Sequence, residues 1–511
     1  MSEATRMKSP SNRRQFLRNT GLSGAAISLG NLGILGSLPS VSAAEAAAKP
    51  DIVRLRPEIE PIVRLIEETS RDRLLEEVAS RIKAGNLRYQ EVLAALLLAG
   101  VRNVQPRPAV GFKFHAVLVV NSAHLASMAS PDSERWLPIF WALDEFKSSQ
   151  AQDVREGNWT MSAVDEARVP PGHQAKAAFV KAMESWDVEA ADVAAASLAR
   201  HAPAGEVFEL FARFGARDFR SIGHKAIFVA NSFRTLQHIG WHHAEPVLRS
   251  LSFALLNHHG QANPSTSDHA ADRPWRENEQ LAKEFPKSWR GGKIGKDATT
   301  GLLKVLREGS AEDAAKNVAE LLARGVAPQS IYDGLFLGGG ELLMRQPGII
   351  ALHAMTTTNA LHYTFATSSD DKTRRRLLLQ NASFLPLFRD ALAGRGGVGV
   401  QEIDQFAGTT GEPLENVFEH IGKDNATAAS SLLGQLDSGA DPKDFTDAAR
   451  RLVFLKGNNA HDYKFSAAVL EDFRNLSPEW RNRYLAASTY NLRGTGSRDN
   501  ALVERSRAAL R

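Results

Sequence analysis

Apolar residues recur at intervals of three and four positions along almost the whole chain after Ile52. This spacing places them on one face of an α-helix, whereas the alternating pattern of a β-strand is scarce. Glycines interrupt the pattern at helix-length intervals, as at Gly85, Gly100 and Gly325. We therefore predict an all-α protein. The clearest runs are Leu65, Leu74, Leu75, Val78 and Ile82, then Val92, Leu93, Leu96 and Leu97.

The chain also repeats its own histidine pattern. His115 and His353 are 238 residues apart, and His224 and His461 are 237 residues apart. The first pair lies in matching strings, His-Ala-Val-x-x-x-Asn-Ser-Ala-His and His-Ala-Met-x-x-x-Asn-Ala-Leu-His. Such self-similarity predicts a tandem duplication, with two pseudo-symmetric halves of two helical units each. The two matching sets are His115, Asn121 and His124, and His353, Asn359 and His362.

A polar stretch divides the two predicted halves, residues 51–258 and 301–511. Residues 259–300 are rich in Asn, Pro, Ser, Asp and Gly, with Trp275 and Trp289 as candidate anchors. A connection of this length is either a linker or a loop folded over something.

The first 43 residues have the features of an export signal. Ser-Asn-Arg-Arg-Gln-Phe-Leu-Arg at 11–18 resembles the twin-arginine export signal, and Val-Ser-Ala at 41–43 supplies small residues for cleavage. The resemblance implies that the export machinery is a partner, and that a folded protein is delivered to the periplasm or outside, often with a cofactor already bound. Asn19, Asn31 and several glycines interrupt the apolar stretch, so we expect no stable membrane span in the mature chain.

Composition excludes several classes of chemistry. The chain has no cysteine, which removes disulfides, iron–sulfur clusters, thiolate zinc sites and haem attached through Cys-x-x-Cys-His. Its net charge is +4, but residues 1–43 hold five basic groups and one acid, so the remainder is neutral. A neutral protein has no general attraction to phosphate backbones, and we expect no nucleic-acid partner.

Four histidines are the main candidates for a site. His115, His224, His353 and His461 each stand near the start of an apolar helix that follows a turn. If the units pack around one axis, these imidazoles converge and can bind a transition metal such as iron, copper or zinc, or haem. The alternative is that each histidine only bonds within its own unit.

A second set of histidines is predicted to lie on the opposite helical face from the first. His124 and His362 come nine residues after His115 and His353, which is about half a turn around a straight helix. Asn121 and Asn359 share their side and could orient neighbouring groups, at a cofactor or across units.

A further candidate metal set lies in the second unit. His238, His242 and Glu245 follow i, i+4, i+7 spacing, which suits zinc or a non-haem iron triad on a continuous helix. Gly240 interrupts that stretch, and the second half has no counterpart. An exposed cluster of histidines is the alternative interpretation.

Residues 348–354, Gly-Ile-Ile-Ala-Leu-His-Ala, resemble the questin-oxidase-like family, all-helical proteins in which histidine-containing helices recur. That resemblance implies an oxidoreductase. The leading hypothesis is an exported helical protein that binds a metal or haem through histidines and acts on a small-molecule substrate. Two alternatives stay open: a helical-repeat module that binds a partner protein or an apolar ligand, and cofactor-free oxygenase or hydrolase chemistry.

Overall fold

The computed structural model describes residues 51–106, 112–256 and 262–511. Within these ranges the chain is helical and has no strand, which confirms the predicted all-α class. Residues Val53–Arg511 form one compact unit. The predicted export signal at 1–43 and the histidines at 258 and 259 lie outside the described residues.

Eleven α-helices precede the gap at 257–261 in the described part of the chain. In chain order they are α1 (Glu60–Glu68), α2 (Leu74–Lys83), α3 (Tyr89–Asn103), α4 (His115–Leu118), α5 (Val120–Ala129), α6 (Leu137–Glu156), α7 (Ala175–Ser185), α8 (Val188–His201), α9 (Ala204–Gly215), α10 (His224–Ile239) and α11 (Ala244–Leu256).

Twelve more follow the gap. They are α12 (Arg273–Leu281), α13 (Lys296–Glu308), α14 (Ala311–Ala323), α15 (Pro328–Arg345), α16 (Ile349–Thr367), α17 (Asp371–Ala393), α18 (Leu414–His420), α19 (Asn425–Asp437), α20 (Pro442–Lys456), α21 (Ala460–Asp472), α22 (Pro478–Ala487) and α23 (Leu502–Leu510). Among the described ranges, none of these helices combines the length and apolarity that a membrane crossing requires.

Local sequence explains where many of these helices begin. Ser310 caps α14 by accepting a hydrogen bond from the backbone N–H of Asp313, whose side chain bonds back to the Ser310 backbone. Asn459 and Asp462 form the same reciprocal cap at α21. These caps satisfy backbone donors that a helix leaves open at its first turn.

The unit contains two hydrophobic cores, and some helices contribute side chains to both. One is formed mainly by α1 to α11 and the other mainly by α13 to α22. Ala226 and Ile227 of α10 nevertheless pack in the second core, while Ala460 and Tyr463 of α21 pack in the first. Helices α10 and α21 therefore tie the two cores together. The predicted tandem duplication itself stays a prediction.

The described part of the predicted linker, residues 262–300, is built into the second core. Trp289 is buried there and donates from its indole Nε1 to Asp371 at 3.0 Å. Trp275 is also buried and lies under the guanidinium of Arg376, 4.0 Å from its ring centre. Both tryptophans anchor this stretch to α17.

Four helices form a ring between the two cores. Helix α10 packs against α5 and α16, and α21 packs against α16 and α5. Arg234, ten residues after His224, bonds Glu471, ten residues after His461, so α10 and α21 run in the same direction. Helix α4 continues into α5 at Val119, whose backbone stays right-handed helical. The ring carries the candidate site at the end where its helices begin.

Candidate metal centre

Four histidines at one end of this ring of helices meet at one point. The candidate ligand nitrogens of His115, His224, His353 and His461 all lie within 4.8 Å of one another. His115, His224 and His353 are buried, while His461 is partly exposed. The four imidazoles thus converge, as the repeated pattern predicts.

Two of the imidazole rings are hydrogen-bonded to backbone carbonyls. Nδ1 of His224 lies 2.6 Å from the carbonyl oxygen of Ser221, and Nδ1 of His353 lies 2.6 Å from that of Ile349. Because a carbonyl oxygen only accepts hydrogen bonds, each Nδ1 carries the proton and donates. The lone pair of each neutral ring is therefore on Nε2, which is the arrangement usual for histidine bound to a metal.

The Nε2 atoms face one another at short distances. Nε2 of His353 lies 3.0 Å from Nε2 of His224, which in turn lies 3.3 Å from Nε2 of His115. The ring of His461 completes the group, with its centroid 4.5 Å from that of His115 and 5.2 Å from that of His353. Metal–nitrogen bonds of about 2.0–2.1 Å place neighbouring ligands roughly 2.9 Å apart in octahedral and roughly 3.4 Å apart in tetrahedral coordination. The two measured separations lie in this range.

A strained turn positions His224. Ser221, Ile222 and Gly223 all adopt left-handed backbone conformations, with φ of 61°, 46° and 79°. Such conformations are unfavourable for residues with a side chain and concentrate at functional sites. The turn aims the Ser221 carbonyl at the His224 ring. Only glycine fits at its last position, because a Cβ on Gly223 would collide with the side chain of Thr357.

Burial keeps these imidazoles neutral. It lowers the pKa of His224 and His353 well below the usual value, and the pKa of His461 to about 3. The positive charge of Lys464 lowers all three pKa values further. Neutral imidazole is the form that binds metal ions, so the rings are ready to serve as ligands near neutral pH.

The second histidine set lies away from this centre. Nδ1 of His124 lies 3.0 Å from the hydroxyl of Tyr89, and its ring contacts His238 at 4.1 Å between centroids. His362 packs edge-on against Tyr332 and Phe336. Burial lowers the pKa of both His124 and His362 to about 4. These two rings act in packing within their own parts of the unit.

The set His238, His242 and Glu245 is not brought together on one helical face. Helix α10 ends at Ile239, and Gly240 breaks it with φ of 102°. Glu245 binds the guanidinium of Arg200 through both carboxylate oxygens, at 2.7 and 2.9 Å. Within the described residues, the four-histidine cluster is the group whose spacing suits a metal ion.

Asn359 and Asn121 have different hydrogen-bonding environments. Asn359 donates to Glu471 at 2.9 Å and to Asp472 at 2.8 Å, and accepts from Arg234 at 3.1 Å. It therefore belongs to a buried network two turns beyond the histidines. The side-chain oxygen of Asn121 is buried without a hydrogen-bond partner among the described residues.

Three further residues beside the centre were not among the predicted site residues. Lys464 and Thr357 are buried, and neither Nζ nor Oγ1 has a hydrogen-bond partner in the described part of the chain. Gly223 is the third, since it completes the strained turn. The glycine directly before His224 was the available signal for the turn. A lysine or threonine inside an apolar helix gives no comparable signal.

No protein-family model matches the chain, and neither the curated proteins nor the solved structures contain a significant match.

Proposed function

We propose that this protein binds one transition-metal ion through His115, His224, His353 and His461. The observation that carries the proposal is the approach of the Nε2 atoms of His224 and His353 to 3.0 Å while both Nδ1 atoms are engaged with carbonyls. Two neutral lone pairs at that distance repel, and a cation between them removes the repulsion. Burial disfavours a proton in that role because it lowers the pKa of both rings.

A bare ion suits the centre better than haem. A haem iron takes at most two imidazoles, one on each side of the plane of its four pyrrole nitrogens, so four imidazole nitrogens that converge within 4.8 Å do not match it. The ligand set is entirely imidazole, which suits iron, copper, nickel and zinc. Iron and copper change oxidation state, and on that basis we propose an oxidoreductase acting on a small-molecule substrate.

We also propose that the protein is exported to the periplasm or beyond. The support is the paired Arg13 and Arg14 followed by Phe16 and Leu17 in the sequence. Changing both arginines to lysine should retain the protein in the cytoplasm, as fractionation would measure. Export of the lysine variant at the original level would contradict the proposal.

Metal analysis of the purified, untagged protein tests the main proposal. We expect about one equivalent of a transition metal per chain, and its loss when His224 and His353 are both changed to alanine. The matched control changes His124 and His362 to alanine, because His362 shares α16 with His353 and His124 lies on α5 of the same ring of helices, both outside the cluster. Absence of stoichiometric metal from the unaltered protein would overturn the proposal.

A further inference from the structure

Lys464 lies one turn beyond His461 on the inner face of α21. Three residues advance a helix by about 300°, so the two side chains point within about 60° of each other. Glu471, about 80° from His461 by the same count, bonds Arg234 on the neighbouring helix of the ring. This face of α21 therefore points into the ring, and Lys464, with 3% exposure, is enclosed there.

The ammonium group of Lys464 has no anionic partner among the described residues. Its Nζ makes no hydrogen bond, and burial alone lowers its pKa to about 7. The nearest carboxylate along the helix, Asp462, is already bound by Arg493 at 2.7 and 2.9 Å. A buried amine without a partner gives up its proton easily, whereas an anion bound beside it stabilises the ammonium form, so an anionic ligand suits this position.

The metal centre adds to this positive charge. All four proposed ligands are neutral imidazoles, so a divalent ion would keep its full charge of about +2. Helices α10 and α21 also begin at the cluster, and their positive dipole ends face it. The hydroxyl of Thr357, one turn beyond His353 on α16, is a second buried donor without a partner in the described part.

We propose that Lys464 binds the anionic group of a small ligand of the metal centre, an oxygen monoanion of the carboxylate or enolate class. This inference rests on the proposed function, because the metal ion supplies the other positive contact. The negative oxygen would lie between the ion and the Lys464 ammonium, with the Thr357 hydroxyl as a hydrogen-bond donor. A neutral ligand of the same shape would leave both positive charges without compensation.

Acetate and acetamide form a matched pair of probes, since they share a shape and differ in charge. In the protein loaded with Co²⁺, we expect acetate to change the visible spectrum of the ion at concentrations at least tenfold below those that acetamide requires. Lys464→Met should raise the dissociation constant of acetate by about 10- to 100-fold, the range expected for loss of one hydrogen bond to a charged group. Lys464→Arg keeps the charge and should bind acetate within about threefold of the unaltered protein.

Two results would overturn the inference: equal binding of acetate and acetamide by the unaltered protein, or unchanged acetate binding by Lys464→Met. Failure of the metal proposal is seen separately, as absence of Co²⁺ uptake before any probe is added. If Lys464→Met loses its helical circular dichroism, the acetate and acetamide comparison on the unaltered protein decides the matter.

Discussion

His224 and His353 face each other with their Nε2 atoms 3.0 Å apart, although they are 129 residues apart in the chain. Each ring is fixed from behind by a carbonyl, from Ser221 and from Ile349. The backbone therefore determines which nitrogen points into the centre. Neither ring can turn its protonated nitrogen inward without breaking its hydrogen bond to the carbonyl.

Removal of one of these ligands should eliminate tight metal binding. His353→Ala should weaken binding by more than the roughly 10- to 100-fold that loss of an outer hydrogen-bond partner costs. The control is His362→Ala, nine residues later on the same helix and packed against Tyr332 and Phe336. Calorimetric titration of both metal-free variants measures the difference. Equal affinities in the two variants would remove His353 from the ligand set.

The strained turn before His224 gives a second prediction. Gly223→Ala should lower the free energy of unfolding by about 2–4 kcal/mol, since a left-handed alanine and a crowded site both cost energy. Gly325→Ala is a matched control, because Gly325 has nearly the same φ, 80°, with nothing within 4 Å of an added Cβ. It should cost only about 1–2 kcal/mol.

The same pair of variants separates strain from function. Gly223→Ala should also weaken metal binding, because the Ser221 carbonyl that orients His224 must shift, whereas Gly325→Ala should not. Urea unfolding and metal titration measure the two effects. Identical behaviour of the two alanine variants would show that the turn does not position the ligand.

The buried network beyond the centre should contribute to stability without affecting metal content. Arg234 is 9% exposed and binds Glu471, which is 38% exposed, at 2.6 Å. Arg234→Met leaves the partly buried carboxylate of Glu471 without its partner. The free energy of unfolding should fall by about 2–3 kcal/mol, less than the roughly 3–5 kcal/mol for a fully buried pair. Arg168→Met, which breaks an exposed pair with Glu189, should cost below about 1 kcal/mol. Loss of metal from Arg234→Met would contradict this division.

Acid should destabilise the metal-free protein through its buried histidines. His362 has a pKa of about 4 in the folded protein and about 6.5 when unfolded. The unfolded chain thus takes up a proton that the folded chain refuses, so stability present above about pH 6.5 declines as pH falls towards about 4. His362→Phe should reduce this slope by about 1.4 kcal/mol per pH unit, as urea unfolding across the range measures. An unchanged slope would contradict the assigned neutral state.

The helical class and the meeting of four histidines could both be predicted from the sequence. Three- and four-residue apolar spacing determines helices directly, and equal offsets indicated that His115 and His353 occupy equivalent places. The all-α prediction is confirmed. Export and the oxidoreductase activity implied by residues 348–354 remain predictions, because neither depends on features that the described fold displays.

Other features depend on tertiary contacts that spacing does not encode. The spacing of His238, His242 and Glu245 suits a ligand set only on a continuous helix, and the helix ends before Gly240. The string His461-Asp462-Tyr463-Lys464 is only weak evidence for a site, because the significance of Lys464 lies in burial without a hydrogen-bond partner among the described residues. The left-handed conformation of Ser221 and Ile222 could not be predicted from the sequence either, since neither residue type favours it.

X-ray absorption spectroscopy of the metal-loaded protein tests the central claim most directly. We expect one ion per chain, with about four nitrogen neighbours at about 2.0–2.1 Å and the outer-shell scattering of imidazole rings. Changing His224 and His353 to alanine should remove that signature. An ion bound mainly by oxygen, or no stoichiometric ion in the unaltered protein, would contradict a four-histidine metal centre.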